Sequence, residues 1–160
     1  MDKDFVAIST INDVDALLGI APIGTVIVNR EGEILYANAT ITTMLGYDTE
    51  ASLVRQPLSI LVPLALEQPH QEFMAGFFEN PRRRPMGLGK SLYARHRNGA
   101  PVPVEIGLVP ARLAGQPVVI AYVSNLSAFQ RAQHRFQHLF SSLPLGLLVV
   151  NDNRLITQVN

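Results

Sequence analysis

The chain contains its own opening twice. Residues 17–38 read LLGIAPIGTVIVNREGEILYAN, and residues 139–160 read LFSSLPLGLLVVNDNRLITQVN. The two stretches align without a gap at a constant spacing of 122 residues, the distance from Leu17 to Leu139. Leu17, Pro22, Gly24, Val28, Asn29, Ile34 and Asn38 recur as Leu139, Pro144, Gly146, Val150, Asn151, Ile156 and Asn160. Residues of these kinds stop a helix, start a strand or build a turn, so their recurrence in one register marks a repeated structural unit. The spacing predicts an N-terminal segment over residues 1–10, a complete domain over 11–125, a linker helix over 126–140 and the truncated start of a second repeat over 141–160. A strand pair without the rest of its sheet leaves an apolar face unburied. The full-length protein is therefore expected to continue past Asn160. In this chain, residues 141–160 are expected to pair with another copy, or to be helical or disordered.

Composition narrows the function classes. The chain has 160 residues, 48% of them apolar, enough for one domain of ordinary size. Thirteen basic and 13 acidic side chains give a formal net charge of zero. That argues against a general nucleic-acid binder, which needs a basic surplus to displace counterions. Cysteine is absent, which excludes disulfides, thiolate metal sites and a cysteine nucleophile. Mean hydropathy is positive and argues against extended disorder. The opening MDKDFVAIST is no secretory signal, and apolar runs such as Leu143–Val150 are far too short to span a membrane. A cytoplasmic chain with no membrane insertion is expected.

Patterning predicts the elements of the complete unit. Asn12 or Asp13 caps a short helix that Pro22 and Gly24 end. Thr25–Asn29 is β-branched and apolar, Arg30-Glu31-Gly32 turns, and Glu33–Ala37 returns. Asn38 caps a helix with Ile41, Met44 and Leu45 inward, closed by Gly46. Pro57 and Pro63 break the following stretch into short helices. Pro69 opens a longer helix with His70, Phe73, Met74, Phe77 and Phe78 at helical spacing. Three strands follow: Gly89–Arg97, then Val102 to Leu108 after the Asn98-Gly99 turn, then Val118 to Ser124 after Ala114-Gly115. Strands separated by a helical insert imply an antiparallel α+β sheet. From Asn125 a new helix carries Phe129, Ala132, Phe136 and Leu139 as a narrow stripe. That stripe suits a dimer seam in a homodimer, or a helix folded back on its own sheet.

These features together resemble a PAS domain. The resemblance rests on three segments: the helix-Pro-x-Gly opening with Gly32, Asn38 and Leu45-Gly46-Tyr47; the stretch RPMGLGKSLYARHRNGAPVPVEIGL; and the strand exit Ser124-Asn125-Leu126-Ser127. The basic strand, Asn-Gly turn and Pro-Val-Glu-Ile strand are similar to those of bacterial sensor kinases and diguanylate cyclases. The resemblance implies a five-stranded antiparallel sheet with small helices on one face and a C-terminal linker helix. It implies a sensor of a two-component or cyclase pathway, without catalysis of its own, acting on downstream PAS and output domains. The family usually has Asp where Asn125 stands, so the coupling of sheet to helix through Ser124, Asn125 and Ser127 is expected to be wired differently.

The ligand remains open at this point. A pocket between helices and sheet would be walled by Ile27, Met44, Ile60, His70, Phe73, Phe77, Leu92, Ile106, Ile120 and Tyr122. The segment also resembles the haem PAS domains of FixL-type oxygen sensors and direct oxygen-sensor phosphodiesterases. In those domains the proximal histidine lies on this helix and matches His70. Near a helix N-terminus the dipole disfavours imidazolium and leaves a neutral nitrogen for iron. Two departures count against haem. Lys90 stands where the kinases carry arginine, whose guanidinium fork it cannot reproduce, and Leu88 stands where the phosphodiesterases carry a distal methionine. The alternative is that His70 satisfies local backbone groups. Flavin–cysteinyl photochemistry is excluded by the missing cysteine. His134 and His138 stand four apart on the linker without a third ligand and read as a solvated face. His96 and Arg82–Arg84 read as surface. The rival to a sensor is a ligand-free dimerisation scaffold, in which Phe5, Val6 and Ile8 pack across the partner together with Phe136 and Leu139.

Overall fold

The computed structural model describes residues 5–86, 91–142, 148–150 and 156–159; beyond residue 135 it describes a side chain only at His138. The chain divides into two units, residues 1–126 and 127–160.

The first unit runs β1 (Val6–Ile8), α1 (Ile11–Leu18), β2 (Gly24–Asn29), β3 (Ile34–Ala37) and α2 (Ala39–Leu45). Short 3-10 turns at Glu50–Ser52, Leu58–Leu61 and Leu64–Leu66 lead into α3 (Glu67–Glu79). Then come β4 (Arg84–Pro85), β5 (Leu92–Arg95), β6 (Pro101–Leu113) and β7 (Gln116–Asn125). Strands β3, β2, β7, β6 and β5 pair antiparallel in that order, which is the expected five-stranded sheet. Two short strands extend it. β4 pairs β6 at Arg84↔Leu108, and β1 runs parallel to the far end of β6 at Val6↔Ala111. The N-terminal segment therefore joins its own sheet, where the scaffold reading had placed it across a partner. Arg112 closes the edge by stacking over the Phe5 ring at 5.1 Å.

Local chemistry explains the boundaries. Thr10, rather than Asn12 or Asp13, caps α1: its hydroxyl accepts from the Asp13 N–H while the Asp13 carboxylate accepts from the Thr10 N–H. A Thr with an acid three residues later satisfies two orphan donors at once, and that outweighs a lone acid as cap. Asn38 is buried, 1% exposed, and makes four hydrogen bonds. Its Oδ1 accepts from the N–H groups of Thr25 and Ile41, and its Nδ2 donates to the carbonyls of Leu18 and Ile23. One side chain thus ties the end of α1, the start of β2 and the start of α2. Gly46 ends α2 at φ 75, and the His96 ring lies where a Cβ would stand, so glycine is required there twice over. His96 is thus half-buried against the α2 terminus rather than a plain surface residue.

Both faces of the sheet carry a core. Under α2, the 3-10 turns and α3 lie Val26, Val28, Ala94, Val104, Val119 and Val123, and the cover adds its own Leu61 and Phe77 to the same cluster. On the opposite face, Ile27, Tyr36, Val109, Ala111, Val118 and Ile120 pack with Val14 of α1.

The second unit holds α4 (Ser127–Ser142), β8 (Leu148–Val150) and β9 (Ile156–Val159). β8 and β9 form an antiparallel pair with each other, so these two segments are strands and not helical or disordered, while the other expectation for residues 141–160, pairing with another copy, concerns a second chain. Their register is that of β2 and β3 displaced by 122 residues. Val26↔Ala37, Ile27↔Tyr36 and Val28↔Ile34 become Leu148↔Val159, Val149↔Gln158 and Val150↔Ile156. The irregularity between Ile27 and Val28 recurs between Val149 and Val150.

Candidate ligand-sensing site

The face under α2 and α3 is built from the residues upward. α3 turns Phe77, 3% exposed, onto the core, with Met74 and Phe78 half-buried beside it. Met44, Ile60, Leu92 and Ile106 pack against the same core. His70, one turn before Met74 on this side of α3, is half-buried. Burial holds its imidazole below the ordinary histidine value, and so neutral at neutral pH. Arg84 stacks over the Phe77 ring at 5.5 Å, and the Phe77 and Phe78 rings meet edge to face at 6.0 Å.

Four of the predicted wall residues lie elsewhere. Ile27, Ile120 and Tyr122 belong to the opposite face, with α1. In β2 every residue from Gly24 to Val28 is buried, because helices cover both sides of the sheet. No polar alternation therefore marks which parity faces α3, and the observed choice is Val26, Val28, Val119 and Val123. Phe73 is 67% exposed. The apolar stripe of α3 is wider than its contact, and the helix seats itself on Met74, Phe77 and Phe78, which leaves Phe73 about 100° round from Met74.

Arg95 carries no sequence signal of its own, yet it fastens the lid. Its Nε and Nη2 donate to the carbonyls of Ile60 (3.0 Å) and Ser59 (2.7 Å), and Nη1 pairs with Glu67 at 3.0 Å. One guanidinium thus anchors both the Leu58–Leu61 turn and the first residue of α3 to β5. A second tie joins Arg97 to Asp48, with the Arg97 N–H bonded to the Leu45 carbonyl at 2.8 Å.

The exit of the sheet is equally specific. β7 is hydrogen-bonded along both edges, to β2 and to β6, and ends with Asn125 opposite Val104. Asn125 is thus a strand residue rather than the first residue of the linker helix. Leu126 follows, its N–H bonded to the Pro103 carbonyl at 2.9 Å, and α4 starts at Ser127. Ser124 and Asn125 border an open groove of about 580 Å³ with Pro22, Ala39, Thr40, Thr43 and Met44. On α4, Phe129 is 69% exposed and Ala132 is exposed; the side chains of Phe136 and Leu139 lie outside the described residues. His134 and His138 are exposed, and among the described residues no group of three metal-ligating side chains occurs. Leu88 and Lys90, on which the haem comparison turned, also lie outside the described residues.

A family model described as a PAS domain matches residues 22–128, two-thirds of the chain and almost all of the first unit's sheet. The chain belongs to the PAS domain family. PAS domains are in general non-catalytic sensory modules of signalling proteins. Among curated proteins, this PAS chain is 21% identical over 128 residues to the sensor protein FixL of Bradyrhizobium diazoefficiens, covering 80% of this chain and 25% of that one. It is 21% identical over 140 residues to the oxygen sensor protein DosP of Escherichia coli, covering 86% and 17%. The chain thus spans a quarter or less of these relatives. Among solved structures, the PAS domain of an HTR-like protein from Haloarcula marismortui superposes with a TM-score of 0.60 at 21% identity, covering 71% of this chain and 89% of that one. The PAS domain of the Cronobacter turicensis quorum-sensing receptor RpfR, in complex with BDSF, superposes at 0.54 and 16% identity, covering 69% and 100%. These likenesses confirm the fold. Among the described residues no helix is long and apolar enough to cross a membrane.

Proposed function

We propose that this chain is the sensory input of a larger signalling protein: a cue on the α2–α3 face changes β7, and β7 passes the change to α4. One observation carries the reading. β7 lies in the interior of the sheet, lends Val119 and Val123 to one core and Val118 and Ile120 to the other, and passes into α4 after one pinned residue. A cue acts here only to the extent that it binds two states of the lid with different affinity. The Arg95–Glu67 tie marks where such states would differ. The test is one of helical phase. One residue inserted between Leu126 and Ser127 turns everything after it by about 100°. In the full-length protein that insertion is expected to abolish regulated output. Regulation that survives it overturns the relay.

A second reading, a haem sensor, is supported by His70 and by the likeness to an oxygen sensor protein. The donor chemistry fits: a single neutral imidazole on the core side of α3. The packing does not, because Phe77 fills the space between α3 and the sheet in one cluster with Leu61, Ala94 and Val104. Haem would supply reversible gas or redox binding. Haem-supplemented protein that shows a Soret band lost in His70→Ala establishes this reading; a colourless protein removes it.

A further inference from the structure

Four arginines gather at the end of α3 that lies away from the Arg95–Glu67 tie. Arg84 stands on β4 and lies over the Phe77 ring at 5.5 Å. Arg30 stands in the turn after β2 and lies over the Phe78 ring at 5.9 Å. The two rings meet at 6.0 Å, so arginines from distant parts of the sequence are brought to one aromatic pair. Arg82 and Arg83 lead into β4, and the Arg82 Nε donates to the Asn80 Oδ1 at 3.2 Å. All four arginines are exposed.

No carboxylate neutralises this strip. Among the described residues the ion pairs are Arg95–Glu67 and Arg97–Asp48, and none of the four arginines takes part in them. Glu31 adjoins Arg30, and Glu79 ends α3 just before Arg82; both are exposed, yet neither pairs with an arginine. A guanidinium stacked on a ring is held in one orientation while its in-plane N–H fork stays open. Arg30 and Arg84 therefore lose less freedom on meeting a carboxylate than an unsupported arginine does.

The chemistry of the strip narrows its partner. One exposed ion pair contributes little, so the partner has to present several negative charges in a row. A small anion is held where donors close round it, and these donors lie open on two separate segments. A lipid surface calls for an apolar anchor beside the cations, but Phe77 is 3% exposed and Phe78 half-buried. Nucleic acid is disfavoured by a chain of zero net charge. We propose that the strip of Arg30, Arg82, Arg83 and Arg84 docks an acidic segment of a partner polypeptide, whose carboxylates pair with the guanidinia. Docking itself does not depend on the relay proposed above; its effect on the lid does. Two of the arginines rest on rings of α3, so a docked partner holds the last turn of that helix in place while the Arg95–Glu67 tie at its first residue stays free to open.

The test titrates the chain into a fluorescein-labelled oligoglutamate peptide and reads anisotropy. Saturable binding that weakens as salt is added is expected. Arg82→Gln with Arg83→Gln leaves both ring stacks intact and is expected to weaken binding several-fold. Arg30→Gln is expected to weaken it as well. Arg112, stacked over Phe5 at 5.1 Å, supplies the control, since Arg112→Gln removes the same charge from another stacked arginine outside the strip. It is expected to leave binding unchanged. A peptide that does not bind, or that loses as much affinity in Arg112→Gln as in Arg30→Gln, overturns the proposal. So does pyrophosphate that displaces the peptide at equal concentration, which marks a small-anion site. Tighter, arginine-dependent binding to vesicles of phosphatidylcholine and phosphatidylserine overturns it in favour of a membrane surface.

Discussion

The two faces of the sheet are closed by different means. On the α1 face a single short helix seats Val14 over Ile27, Val118 and Ile120, and a Tyr36–Asp15 hydrogen bond and the Asn38 bond to the Leu18 carbonyl hold it down. On the α3 face the cover is assembled from α2, three 3-10 turns and α3, and one guanidinium, Arg95, joins the Leu58–Leu61 turn and the first residue of α3 to β5. The first face is fastened by two ties from one short helix to Tyr36 and Asn38, 21 and 20 residues away in sequence. The second depends on a tie between segments about 35 residues apart in sequence, and it holds the half-buried His70. A cover made of several pieces has more ways to rearrange than a single helix, which is why the cue is proposed to act on the α3 face.

The strongest way to break this contrast is at α3. Phe77→Ala removes the largest side chain that the lid buries, and is expected to cost about 3–5 kcal/mol in urea unfolding. Phe73→Ala, one turn away and exposed, should stay within about 0.5 kcal/mol. Equal losses at the two positions would mean that α3 sits on the sheet by a different face. Asn38→Ala comes next, because this residue serves both covers. It strips a helix cap and leaves two buried N–H groups without acceptors, for an expected loss of about 2–3 kcal/mol. A melting temperature within a degree or two of the parent would show that water takes over these bonds. Tyr36→Phe touches only the α1 face. Loss of its one hydrogen bond should cost about 1 kcal/mol and leave α3 as protected from hydrogen exchange as before. Burial, and then Asp15, raise the Tyr36 hydroxyl above its usual value, so it stays a donor throughout the neutral range.

The fold was legible because it rests on local signals. The Asn38 cap, the left-handed Gly46, the Asn98-Gly99 turn and the β-branched strands each act within a few residues. The candidate site was legible only in part, and the reason is visible at Ile27. A strand covered on both faces reads as continuously apolar, so its parity is set by which helices land on which side, and that is a property of the whole chain. Phe73 was misplaced for a related reason: five apolar or aromatic-sized positions on α3 define a stripe broader than one contact. Arg95 gave no signal because two of its three partners are backbone carbonyls of a segment about 35 residues away, and carbonyls have no sequence identity, while the third, Glu67, stands 28 positions off in sequence.

The finest test of the contrast is a titration that reports one face alone. Among the described residues no histidine lies in the α1-face core, whereas His70 lies beside the α3-face core. Burial lowers the His70 value from 6.5, so below that pH the unfolded chain takes up a proton that the folded chain refuses. Unfolding is then accompanied by proton uptake, and stability rises with pH across the window between the folded value and 6.5. Acidification through the same window removes that stability, and below the folded value no further loss comes from this residue. The parent should lose more melting temperature than His70→Gln between about pH 7.5 and about pH 5.5. Parallel curves would show that His70 is solvated in the folded chain. In that case the α3 cover would be no tighter around it than open water, and the lid would have to close elsewhere along α3, at Phe77.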